Sequence, residues 1–126
     1  MGLQAASLQG RRILVVEDEY LVGLGLVGIL EQAGAQVLGP IGALDEAMAM
    51  VENKGQTFDA AVLDVRVNGK ESYSVADALA ARAVKIVFAT GYGSHGMEDK
   101  YKHHPRCEKP YNANALVAAL TMVMKS

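Results

Sequence analysis

A single cysteine in 126 residues excludes an internal disulfide and any zinc site built on cysteine. Cys107 reads as filler in a short strand. No apolar run approaches the roughly 20 residues that a membrane-spanning helix needs. The first ten residues have neither the basic start nor the long apolar core of a secretion signal, so a cytoplasmic location is expected and no membrane contact. Excess charge of either sign is missing too: 12 Lys and Arg stand against 14 Asp and Glu, a formal net charge of -2. Without a basic run there is no electrostatic footprint for direct nucleic-acid binding. His95, His103 and His104 lack acidic or cysteine partners at metal-binding spacing and are expected to be exposed. Internal repeats and interdomain linkers are absent as well.

What the chain does contain is an alternation of apolar runs with helix-period stripes. Residues 1–10 form a polar, small-residue segment expected to be a flexible leader, and residues 11–126 one folded domain. Strands are expected at Arg12–Val16, Val37–Leu38, Asp59–Leu63, Lys85–Ala89 and around Cys107. Between them, Val22, Leu26, Ile29 and Leu30 share one helical face that Gly34 ends, a second helix runs from about Leu44 to Glu52, and a third lies near Val75–Arg82. Gly39, Pro40 and Gly42 are read as breakers after the second strand. Ser94–His104 is polar, with only Met97 and Tyr101 paired four apart, so any helix there should be weakly held and mobile. The last helix carries Leu116, Leu120, Val123 and Met124. Strands alternating with helices predict an α/β fold, a doubly wound five-stranded parallel sheet of order 2-1-3-4-5.

Gly23, Gly25 and Gly28 spell G-x-G-x-x-G, the pattern of a dinucleotide loop. Such a loop must follow its strand directly for its amides to reach a pyrophosphate, whereas Glu17–Val22 intervene here. No acid closes the second strand to hold a ribose. The glycines are therefore expected inside the first helix, where they allow close packing.

The chemistry lies at the strand ends. Ile13–Val16 closes with Glu17 and Asp18, and Ala60–Leu63 closes with Asp64. In a parallel sheet these ends meet at the edge where open α/β sheets bind ligands, so the acids predict a divalent cation and an anionic substrate; the competing explanation is solvated loop ends. Thr90 and Lys109 end neighbouring strands and bring a hydroxyl and an ammonium to the same edge. An aspartate can attack phosphorus if the repulsion between anions is neutralised. Mg2+ suits that task, with Asp18 and Asp64 as direct oxygen ligands and Glu17 acting through water. Lys109 and Thr90 would stabilise charge on the transferring oxygens. Without metal, three neighbouring carboxylates should repel and raise at least one pKa.

With Glu17-Asp18, Asp64, Thr90 and Lys109-Pro110 in register, the chain resembles the receiver domains of two-component response regulators from Arg11 to Met124. The resemblance implies a flavodoxin-like receiver fold, Asp64 as phosphoacceptor, Lys109 and Thr90 as catalytic partners, and Mg2+ held by Glu17, Asp18, Asp64 and the carbonyl of Arg66. It also implies a sensor histidine kinase or histidine phosphotransfer protein as donor, a downstream protein partner, slow self-dephosphorylation rather than turnover, and a cis bond before Pro110. The stretch Phe88-Ala89-Thr90-Gly91-Tyr92-Gly93 resembles a subgroup of stand-alone alphaproteobacterial receivers. Two departures stand out. The loop after Asp64 (Val65, Arg66, Val67, Asn68, Gly69) lacks the usual proline, and Arg106 stands where most receivers carry a switching aromatic. Tyr92 is the expected substitute, with Tyr111 second. A phosphorylation-independent interaction module remains the alternative function.

Overall fold

The computed structural model describes residues 7–91, 97–109 and 111–125. Its strands are β1 (Arg12–Val16), β2 (Gln36–Ile41), β3 (Ala60–Asp64), the short pair β4 (Arg66–Val67) and β5 (Lys70–Glu71), β6 (Lys85–Thr90) and β7 (Arg106–Glu108). Four α-helices are found among the described residues: α1 (Tyr20–Gln32), α2 (Leu44–Glu52), α3 (Tyr73–Ala81) and α4 (Ala113–Met124). The main sheet is wholly parallel and ordered β2-β1-β3-β6-β7, the expected doubly wound topology.

Between their polar ends the central strands are apolar because both faces are covered. Successive side chains alternate between two cores. Leu14, Val16, Ala61, Leu63, Ile86 and Phe88 pack with Ala47 and Val51 of α2 and Val75 and Leu79 of α3. Ile13, Val15, Ala60, Val62, Val87 and Ala89 pack with Leu26 and Leu30 of α1 and Leu116 and Leu120 of α4. Register fixes the functional edge: Val16 lies opposite Leu63, and Asp64 opposite Ala89. Glu17, Asp64 and Thr90 therefore emerge at nearly one level.

Five expectations need correcting. Gly39 and Pro40 do not end β2. The strand continues to Ile41 through a register slip between Leu14 and Val16, with Gly39 at φ +126°. A Cβ on Gly39 would stand 2.5 Å from the Val15 carbonyl oxygen, so only glycine fits. β2 has a partner on one side alone, and an edge strand tolerates proline's missing N–H.

Of the three α1 glycines, only Gly23 serves close packing. Its Cβ would meet Pro40 Cβ at 2.6 Å, whereas Gly25 and Gly28 face open space. Within the segment expected to be a leader, Leu8 is fully buried in the α1–α4 core, held by a hydrogen bond from its N–H to the Ala33 carbonyl at 2.8 Å.

The described part of Ser94–His104 forms a single 3-10 turn, Asp99–Tyr101, rather than an α-helix. It is anchored more firmly than its polarity suggested. Met97 and Tyr101 are buried, Tyr101 stacks on Tyr73 with ring centroids 4.0 Å apart, and its hydroxyl donates to Asp77. His104, expected to be exposed, is half-buried with its ring edge-on to Phe88.

Candidate functional site

The three acids converge as expected. Oxygens of Glu17, Asp18 and Asp64 all lie within 4.8 Å of one another, the one cluster of potential metal-ligating side chains among the described residues. Glu17 is 2 % exposed and Asp64 9 %. Both would be costly as isolated charges in such burial, and Lys109 compensates them. Its Nζ stands 2.7 Å from Glu17 Oε1 and 2.9 Å from Asp64 Oδ2. The position of that ammonium follows from the strand ladder, since the Lys109 N–H donates to the Thr90 carbonyl at 2.9 Å.

Each carboxylate has further donors. Glu17 accepts the Glu19 N–H at Oε2 (3.1 Å) and the Tyr111 hydroxyl at Oε1 (3.4 Å). Asp18 Oδ2 accepts the Asn68 N–H at 2.7 Å. Asp64 Oδ1 accepts the Arg66 N–H at 3.4 Å, and the buried Ser72 hydroxyl donates to the Asp64 carbonyl at 2.7 Å. Ser72 thereby fixes the start of α3 against the end of β3.

These contacts separate the acids electrically. Burial, reinforced by the Asp64 charge, pushes the Glu17 carboxyl above its usual value despite the hydrogen bonds from Lys109 and Glu19. This is the rise expected for one member of the cluster, although burial rather than repulsion is its main cause. For Asp18, burial works upward but is outweighed by hydrogen bonds, the Asn68 N–H foremost, and the carboxyl lies below its usual value. Burial opposes the charge on Lys109, yet hydrogen bonds and charges from Asp64 and Glu17 hold its pKa above normal. Burial, followed by the Glu17 and Asp64 charges, also raises the Tyr111 phenol.

Thr90 is 5 % exposed, and its Oγ1 is a buried side-chain oxygen with no hydrogen-bond partner among the described residues. Such an orphan is costly unless something satisfies it in another state. Arg106 is exposed on β7, so no aromatic ring fills that position. Tyr92 and the peptide bond before Pro110 lie outside the described residues. Sequence reasoning missed Asn68, Ser72 and the Tyr73–Tyr101 stack. Only Asn68-Gly69, a hairpin-turn dipeptide, carried a local signal.

No family model matches the chain. Its fold is shared with the response regulator receiver protein of Sinorhizobium medicae, at TM-score 0.78 and 23% identity, covering 94% of this chain and 98% of that one. SdrG of Sphingomonas melonis Fr1 is nearer in sequence: 35% identity and TM-score 0.78 over 90% of this chain and 98% of SdrG. The chain belongs to the response regulator receiver family. The receiver also matches the BeF3-activated conformation of SdrG, at 35% identity and TM-score 0.74, over 94% of this chain and 99% of that one. A curated relative, the transcriptional regulatory protein PdtaR of Mycobacterium tuberculosis, is 23% identical over 118 residues, 90% of this chain. The receiver spans 57% of the length of that relative. These relatives support a two-component phosphoacceptor role. Among the described residues, no helix is long and apolar enough to cross a membrane.

Proposed function

We propose that this receiver accepts a phosphoryl group onto Asp64 from the phosphohistidine of a sensor histidine kinase or phosphotransfer protein. The observation that carries the reading is the Lys109 ammonium 2.9 Å from Asp64 Oδ2 within the acidic cluster. The donor set fits Mg2+, because every candidate ligand atom is oxygen; Asp18, Asp64 and the Arg66 carbonyl would hold the ion, and Glu17 would hold its water. The bound ion would supply positive charge against the anionic phosphoryl group.

Asp64 attacks phosphorus with a carboxylate oxygen, the P–N bond breaks, and the imidazole nitrogen keeps the electron pair. Lys109 pairs with the charge that gathers on the phosphoryl oxygens. The Thr90 hydroxyl has a free hydrogen to donate to one of them, which would satisfy the buried orphan. That movement would signal through the segment after Thr90 to a downstream protein partner, with Tyr92 as its reporter in place of an aromatic at Arg106. Beside the pocket, a groove of about 560 Å³ includes Leu21, Val22, Gly25 and Ile29 of α1 with Lys109 and Tyr111. This apolar strip adjoining the ammonium suits the histidine-bearing helix of a donor.

Intact mass after incubation with Mg2+ and a small phosphodonor tests the reading. One added phosphoryl group is expected in wild type and none in Asp64→Asn. Equal labelling of both proteins would overturn the assignment of Asp64. Lack of labelling in wild type would favour an interaction module that works without phosphate.

A further inference from the structure

The segment after Asp64 folds into a small hairpin rather than an irregular loop. Arg66 pairs with Glu71 and Val67 with Lys70, and the Ser72 N–H closes the ladder on the Val65 carbonyl at 2.9 Å. Asn68 and Gly69 turn it, both with positive φ, +52° and +77°, the tight turn that matches strand twist. Val67 is fully buried beneath.

Asn68 reaches in two directions at once. Its backbone N–H donates to Asp18 Oδ2 at 2.7 Å, and its side-chain Nδ2 donates to the Gly42 carbonyl at 2.9 Å. Gly42 follows Ile41, whose carbonyl accepts the Glu17 N–H at 2.9 Å. One residue thus joins the hairpin to the turns after both β1 and β2, the first of which carries the acidic pair. The chemistry at position 68 is narrowly specified. Proline has no N–H for Asp18 and cannot reach φ +52°. Glycine keeps the turn and the N–H but loses the tether to Gly42, and alanine is strained at this φ.

We propose that Asn68 is a positioning residue for the metal site, fixing the Asp18 carboxylate and leaving its second oxygen for the cation. The inference rests on the reading of Asp18 as a Mg2+ ligand. Partners that orient a ligating carboxylate typically change metal affinity by about 10–100-fold when lost. In Asn68→Gly the backbone N–H remains while its anchor is gone, so the low end applies.

The test is Mg2+ titration of wild type, Asn68→Gly and Asp18→Ala, read by intrinsic tyrosine fluorescence or calorimetry, together with amide exchange at residue 68. Asn68→Gly is expected to bind Mg2+ about tenfold more weakly while remaining folded, because glycine suits the turn. In metal-free wild type the residue 68 amide should exchange slowly despite its exposed position, and Asp18→Ala should release it. Unchanged Mg2+ affinity in Asn68→Gly, or free exchange of that amide in wild type, would overturn the role of Asn68. If Asp18→Ala itself binds Mg2+ normally, the metal-site reading fails instead, and the two failures are told apart. A packing role alone would lower the melting temperature without moving Mg2+ affinity.

Discussion

Replacing Lys109 with alanine would leave two buried carboxylates facing each other without their cation. The side chains of Lys109, Glu17 and Asp64 are 18%, 0% and 12% exposed, with N–O distances of 2.7 and 2.9 Å. Removing one partner from such a group costs about 3–5 kcal/mol. The partial exposure of Asp64 lets water enter, so the low end, about 3 kcal/mol, is expected. At roughly 4 °C per kcal/mol for a domain of this size, the melting temperature should fall by roughly 10 °C without divalent cations. Lys109→Met, which keeps an apolar stem, should lose nearly as much, separating charge from packing. The unpaired acids then offer a more anionic site. Mg2+ at a hundred times its Kd contributes about 2.7 kcal/mol, and its stronger binding to the variant should raise the melting temperature more there than in wild type at equal concentration. Calorimetry with and without Mg2+ reads both effects. A metal-free melting temperature within about 2 °C of wild type, or a smaller Mg2+-induced rise in the variant, would refute the ion-pair account.

Gly23→Ala should destabilise the fold by about 1–3 kcal/mol through overpacking on Pro40, whereas Gly28→Ala, facing open space in a helix, should stabilise it by up to about 1 kcal/mol; urea denaturation checks both. Thr90→Val removes an unpartnered buried hydroxyl at similar shape and should raise stability by about 1 kcal/mol, while chemical shifts after phosphorylation should change less than in wild type. His104 has its pKa lowered, by burial first and then by His103. Its folded form therefore resists protonation, so stability is full above the ordinary value of 6.5 and falls as pH drops below it until the folded-state pKa is passed. His104→Gln should flatten that part of the melting-temperature profile, and an unchanged slope would show that other groups cause it.

The acid cluster was legible because strand ends in a parallel sheet must share an edge, so Glu17, Asp18 and Asp64 could be placed together from their apolar runs alone. The α2 bounds, Leu44–Glu52, were equally plain from composition and first-turn acids. The β2 extension was not, because Gly39-Pro40 signals a break unless the strand is known to lie at an edge. Tyr101 was hidden for another reason: its burial depends on Tyr73, 28 residues earlier, and no periodicity links them. Asn68 and Asp18 lie 50 residues apart, and their bond uses a backbone N–H that every residue except proline possesses. Leu8 sat among polar and small neighbours, and its burial depends on the Ala33 carbonyl across the chain.

The register slip of β2 around Gly39-Pro40 also bears on self-association. An open parallel sheet has two margins whose unpaired N–H and C=O groups could template another chain. Here one margin is β2, where proline removes a donor and the neighbouring glycine, at positive φ, lies where the register slips. The other is β7, three residues long. Neither margin offers a straight, continuous row of backbone groups to an incoming strand. Backbone shape and length thus make both rims poor templates for edge-to-edge pairing, without a row of repelling charges.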